Sequence, residues 1–255
     1  MLDYNRRPSF ADRVNAAVDQ ALTAEQATRP PRDYLGGSRL GHDCERALQF
    51  EFAGAPKDEG QEFSGHILRI FEIGHALEDL AIRWLRAAGF DLYTRKGNRP
   101  DGQQFGFSVA GGRIRGHVDG IIAAAPQQLG IGVPALWECK TMNARNWRET
   151  VAKGVVVAKP VYASQIALYQ AYMEAQVPGI SDNPALFTAI NKDTAELHHE
   201  LVPFDAGLAQ RMSDRAVRIL QATDVGDLLP RIATTRDFHE CRMCPWAERC
   251  WGLPA

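Results

Sequence analysis

No run of the chain is apolar for anything near the ~20 residues of a membrane span. Its opening residues, MLDYNRRPSFADRV, contain no apolar core of a secretory signal. A cytoplasmic protein with no membrane partner is the expectation. There is no internal repeat, no low-complexity tract and no GxxxxGK[ST] loop, so an NTP-driven motor built on that loop is excluded. Neither sign of charge dominates: 29 Lys and Arg stand against 31 Asp and Glu, a net −2. The balance does not announce a nucleic-acid binder, although an acidic metal site and a basic groove can cancel within one molecule. Cysteine is scarce. Five residues, an odd number in a chain expected to be cytoplasmic, argue against a disulfide framework.

The 255 residues suit one large domain, or a domain with an elaboration, and can bury a sizeable core unaided. Ser9 and Asp12 form a capping-box pattern ahead of an amphipathic helix. TRPPRDYLGG then reads as a connector, and DCERALQFEF as a short helix with Cys44 at its first turn. The strongest helical segment is EFSGHILRIFEIGHALEDLAIRWLRAAGF, where Ile67, Ile70, Phe71, Leu77, Leu80, Trp84 and Leu85 recur at threes and fours. Strand-like runs follow: FDLYTRK, QFGFSVA, RIRGHVDGIIAA and PALWECKT. Two helices, two further strands, ALFTAINK and ELHHELVPF, and a last helix lead into a cysteine-rich tail. The expected class is mixed α/β, a central mixed sheet flanked by helices. Residues 1–36 would be an N-terminal helix and linker, and 37–255 the main domain.

Basic residues cluster locally at Arg29 and Arg32, at Arg95, Lys96 and Arg99, at Arg113 and Arg115, and from Lys140 to Lys159. Most such clusters are solvated faces.

The chemistry concentrates in WECKT. Alternate residues of a strand share a face, so Glu138 and Lys140 project together while Cys139 projects with Trp137 and Thr141. Alone, the pair reads equally as a surface ion pair on an edge strand. Asp119, on the run RGHVDGII between Gly116 and Gly120, supplies a second carboxylate on a neighbouring strand. Two carboxylates beside a lysine are the donor set that Mg²⁺ or Mn²⁺ shares with substrate phosphate. The lysine can then help generate the attacking water and stabilise charge on the phosphate.

This D…ExK pattern resembles the PD-(D/E)xK nuclease superfamily, in particular its RecB-like branch. The residue before Asp119 is Val118, where the superfamily's name has proline. The chain offers His75 on the long helix before the core strands and, after the lysine, a Q-x-x-x-Y pair, Gln165 and Tyr169, in the family's order. The resemblance implies a restriction-endonuclease-like core. His75, Asp119, Glu138 and the backbone carbonyl of Cys139 would hold the metal, with Lys140 as catalytic lysine. Gln165 and Tyr169 would brace the site or touch the DNA strand. His117, two residues before Asp119, rivals His75.

The other cysteines are Cys44 and the C-x₂-C-x₅-C run of Cys241, Cys244 and Cys250. Four thiolates suit tetrahedral zinc or an iron–sulfur cluster, and spacing does not separate the two. One cysteine before the core and three after it resembles the iron–sulfur RecB-like nucleases, such as AddB nuclease domains and CRISPR-associated single-domain enzymes. That implies a structural 4Fe–4S cluster stapling the N-terminal part to the tail, 238–255.

The activity implied is metal-dependent hydrolysis of DNA by a metal-activated water, chiefly as an exonuclease on single strands or ends in recombination or repair. Arg145, Trp147 and Arg148 are candidates for tracking a strand, with packing an equal reading for Trp147. Alternatives are a CRISPR-adaptation enzyme trimming spacer DNA, an RNA-specific nuclease, or a non-catalytic DNA-end-binding subunit. Either biological setting would bring a recombination or CRISPR-adaptation protein as partner.

Overall fold

The computed structural model describes residues 7–98 and 102–253; Arg99 lies outside them. Helix α1 (Phe10–Thr28) starts as its capping box dictates. Ser9 accepts from the Asp12 N–H at 3.1 Å, and Asp12 accepts from the Ser9 N–H at 2.8 Å. No residue of α1 is buried. It is held by a close approach to α3 (Gly65–Ala87), where a Cβ on Gly65 would lie 2.4 Å from the Asp19 Cα. Asp19 also pairs with Arg69. Between these helices lie β1 (Leu35–Gly36) and α2 (Glu45–Phe52), the latter with Cys44 as its N-cap residue.

After α3 come β2 (Asp91–Tyr93), β3 (Gly106–Val109), β4 (Ile114–His117), β5 (Gly120–Ala124) and β6 (Ala135–Met142). Helices α4 (Ala144–Lys153), α5 (Val155–Ala158) and α6 (Pro160–Met173) lead to β7 (Ala185–Asn191) and β8 (Leu197–Val202). The chain ends with α7 (Ala206–Val225) and the short α8 (His239–Arg242) and α9 (Ala247–Gly252).

The α/β class holds, but the single central sheet is replaced by two. One has the order β1-β4-β3, the other β2-β5-β6-β7-β8. The run RIRGHVDGIIAA, expected as one strand, is cut at Val118–Asp119: β4 pairs with β1 and β3, and β5 with β2 and β6. Asp119 is therefore at a junction between sheets and not within a strand. The reason is non-local, since β4 and β5 satisfy their backbone groups against different partners. In the larger sheet only β6 and β7 are parallel, and the crossover that joins them contains α4, α5 and α6.

Strand alternation distributes β6 between two cores. Leu136 and Met142 join Phe187, Ala189, Ile166, Tyr169 and Ile219 on the side of α6 and α7. Trp137 and Cys139 join Leu186, Ile190, Ala81, Ile82 and Leu85 on the side of α3. The expected role of Cys139 as a packing residue agrees with this second core. The apolar stripe of α3 is only half used for packing: Leu68, Ala81, Ile82 and Leu85 are buried, whereas Phe71 and Trp84 are 44% and 40% exposed. Trp147 packs against the first core and donates from its indole to the Ala189 carbonyl at 3.1 Å. The packing reading of Trp147 agrees with this.

Candidate active site

Glu138 and Lys140 leave β6 on one side, as strand alternation requires. Glu138 is fully buried, and its Oε1 accepts from the Lys140 ammonium and from Gln165 Nε2, the latter at 2.6 Å. Asp119 reaches β6 from the junction of the sheets. Its Oδ2 accepts from the Cys139 N–H at 2.8 Å and lies 3.9 Å from the Lys140 ammonium. The two carboxylates and the lysine are thus locked together by one strand's backbone and side chains.

Helix α6 supplies the bracing. Gln165 and Tyr169 are one turn apart and buried. Tyr169 meets Phe107 edge-on, ring centroids 5.2 Å apart, and burial holds its hydroxyl above the ordinary tyrosine range. A Cβ on Gly37 would lie 2.8 Å from the Tyr169 ring, which explains a glycine there. Opposite, α3 presents His75 and Glu78 to the same cleft, which has a volume of about 950 Å³. Asp119, Lys140, Gln165, Tyr169 and the rival His117 also line it, with Glu138 linked to them through Lys140 and Gln165.

Electrostatics follow from this crowding. Burial, reinforced by the Asp119 carboxylate, pushes Glu138 up to about 8 against the pull of Lys140. Burial and Asp119 likewise raise Glu78 to about 7. For Lys140, burial acts to lower the pKa, but the Glu138 and Asp119 carboxylates outweigh it and hold the ammonium above the ordinary lysine range. Lys140 is charged throughout the physiological range.

Glu78 was not singled out from the sequence. Its signal was there: His75 and Glu78 stand three apart on one helix, hence on one face. Nothing local showed that this face would look at Asp119 and not at solvent.

Among the described residues, no three His, Cys, Asp or Glu side chains stand in an arrangement that could hold a metal ion. In the acidic cleft the Lys140 ammonium occupies the space among the carboxylates. The side chains still suit a hard divalent cation in kind: carboxylates and an imidazole line one cleft, and Glu138 Oε2 is buried with no hydrogen-bond partner.

The four outlying cysteines, separated by almost the whole chain, share one small pocket of about 130 Å³ with Phe50 and Trp246. None of the four is in a disulfide. Burial, together with the neighbouring thiols, raises the pKa of Cys241 and Cys244. Four sulfurs around one pocket fit a thiophilic metal or cluster in kind, without closing on a common point. The tail is also held by conventional bonds. Trp246 donates to the Ala55 carbonyl at 2.9 Å, and the Asp58 carboxylate accepts from the Glu248 N–H at 2.6 Å.

A buried carboxylate–lysine pair on a strand, a second carboxylate at a sheet junction and a bracing glutamine make up an acidic, lysine-bearing site on an α/β scaffold. The chain matches the PD-(D/E)XK nuclease superfamily over residues 16–251 and belongs to it. No curated protein matches it in sequence. Solved structures that resemble it include the alkaline exonuclease LHK-Exo of Laribacter hongkongensis, 14% identical, with a TM-score of 0.49 over 81% of this chain and 93% of that one. The complex of LHK-Exo with dAMP is 15% identical, with a TM-score of 0.49 over 76% and 89%. SSO0001 is 16% identical, with a TM-score of 0.47 over 93% and 96%. Among the described residues no helix is long and apolar enough to cross a membrane.

Proposed function

We propose that the protein is a divalent-metal-dependent deoxyribonuclease acting on single strands or ends of DNA, in the manner of a RecB-like exonuclease of recombination or repair. The observation that carries this is the convergence of Asp119, Glu138 and Lys140, from one strand and a sheet junction, at one cleft faced by His75 and Glu78. When bound by His75, Asp119, Glu138 and the Cys139 carbonyl, Mg²⁺ or Mn²⁺ supplies positive charge against the scissile phosphate. The chain's own residues do the rest. Lys140 presents a permanent positive charge where negative charge develops on the phosphate oxygens. The Cys139 N–H fixes Asp119, and Gln165 fixes Glu138.

The mouth of the cleft suits a phosphate backbone. Arg32 and Arg115 lie over the Tyr34 ring, 5.2 and 4.8 Å from its centroid, and all three line the cleft with Arg95. All three loci (Arg32, Arg95, Arg115) belong to basic clusters visible in the sequence. We propose further that a structural metal group, a 4Fe–4S cluster or zinc, would join α2 to the tail; the reading rests on the four cysteines lining one pocket. Spacer trimming in CRISPR adaptation would use the same chemistry, and an end-binding subunit would need no intact Asp119, Glu138 and Lys140.

The test is digestion of end-labelled single-stranded and duplex DNA with Mg²⁺ or Mn²⁺, using protein purified without oxygen. Progressive loss of label from one end supports the reading and gives the polarity; intact DNA with folded protein refutes it. Within that assay, Gln165→Ala is expected to slow turnover about 10- to 100-fold, the usual cost of losing a residue that orients an acidic ligand. The melting temperature should barely move. An unchanged rate would mean that Glu138 needs no help from α6.

A further inference from the structure

Phe71 and Phe63 are 44% and 47% exposed, although each carries a large apolar ring. They contact each other edge to face, with centroids 5.2 Å apart and planes at 86°. Lys57 sits over the Phe63 ring at 4.2 Å. This arrangement fixes the pair without burying it. In such a contact one ring offers its edge to the other's face, so flat aromatic surface is left for another π-system.

The position of Phe71 is informative. Phe71, His75 and Glu78 are spaced by four and three on α3, so they share a helix face, and all three line the cleft. The helical rise places Phe71 about 6 Å along the axis from His75 and about 10 Å from Glu78. The same cleft is lined by Arg32 and Arg115, both over the Tyr34 ring. Aromatic and cationic groups thus share one cleft, the combination that grips an unpaired strand by its bases and its phosphates together.

We infer that Phe71, braced by Phe63, is a stacking platform for an unpaired nucleobase of the strand entering the cleft. The inference deepens the nuclease reading and rests on it for the identity of the ligand as DNA. A base inside a duplex has both faces covered by its neighbours, so it cannot stack on Phe71 without being freed. Phe71 therefore selects single strands and frayed ends, a few nucleotides from the phosphate that meets Lys140.

The experiment uses the full chain in EDTA, where no hydrolysis interferes. Binding of a fluorescein-labelled single-stranded oligonucleotide and of the blunt duplex of the same sequence is followed by anisotropy. Phe71→Ala is expected to weaken single-strand binding about tenfold, with less than about a twofold change for the duplex. Phe71→Trp should restore single-strand affinity, and 2-aminopurine placed at successive positions should be quenched at one of them by wild type and not by Phe71→Ala. Equal losses on both substrates, no loss, no rescue by tryptophan, or no single-strand binding by the wild type would each overturn the platform. Failure of the nuclease reading is read separately: DNA left intact in Mg²⁺ or Mn²⁺, with selective single-strand binding retained, would remove the enzyme and leave the platform.

Discussion

Lys140→Ala is expected to reduce DNA hydrolysis by at least ~100-fold while the chain remains folded. Lys140 lies between two carboxylates, pairing with Glu138 and standing 3.9 Å from Asp119. Its removal takes away the charge directed at the phosphate. It also leaves Glu138 and Asp119 facing each other without a counter-charge, so the proton affinity of Glu138, already high through burial, rises further. Both consequences lower activity. Glu138→Gln makes the complementary change: the amide is of the same shape and can still accept from Gln165, but the negative charge is gone. Its rate should fall as far as that of Lys140→Ala. Single-turnover digestion with excess enzyme, beside thermal melts, checks both. Hydrolysis within a few-fold of wild type in a folded Lys140→Ala protein would take the lysine out of the chemistry.

If the proposed metal group is present, Cys44→Ser and Cys250→Ser are each expected to lose it and to lower the melting temperature by about 10 °C or more. That corresponds to ~3–5 kcal/mol for a chain of this size, less than a structural metal can contribute. Cys44 precedes α2 as its N-cap, while the other three thiols sit on the tail, so a shared metal group would close a loop of almost the whole domain. The fall should stop short of complete unfolding, because part of the docking is independent of sulfur. Gln49 donates to the Asp227 carbonyl at 2.6 Å and accepts from the Leu229 N–H at 2.9 Å, and Trp246 remains wedged against Phe50. Iron, acid-labile sulfide and zinc are measured per chain in parallel. Iron with equal sulfide identifies a cluster and zinc alone a tetrahedral site. A metal-free wild type with an unshifted Cys44→Ser melt would show that the thiols serve only as packing.

Much of this site was legible in one dimension. A two-residue period puts Glu138 and Lys140 on one side of β6, and that holds wherever the strand is placed. The four-residue step of Gln165 and Tyr169 puts both on one face of α6, and the capping box at Ser9 starts α1 where it should. These are properties of local geometry, and composition and spacing carry them without help from the rest of the chain. The resemblance of the ordered set to a known family extended the same local information to His75 and Asp119.

Other features exist only once distant segments meet. The break at Asp119 depends on β4 finding β3 while β5 finds β6, a choice of hydrogen-bond partners that no window of residues contains. Periodicity marks Phe71 as apolar and Glu78 as polar, but it does not say which arc of α3 the sheet will cover. The sheet covers Ala81, Ile82 and Leu85, and so Phe71 is left in the open and Glu78 is turned toward a second carboxylate. The burial that raises Glu138, and the pocket that gathers Cys44 with thiols some two hundred positions later, have the same origin. Local pattern decides which side of an element a residue occupies; only packing decides what that side faces.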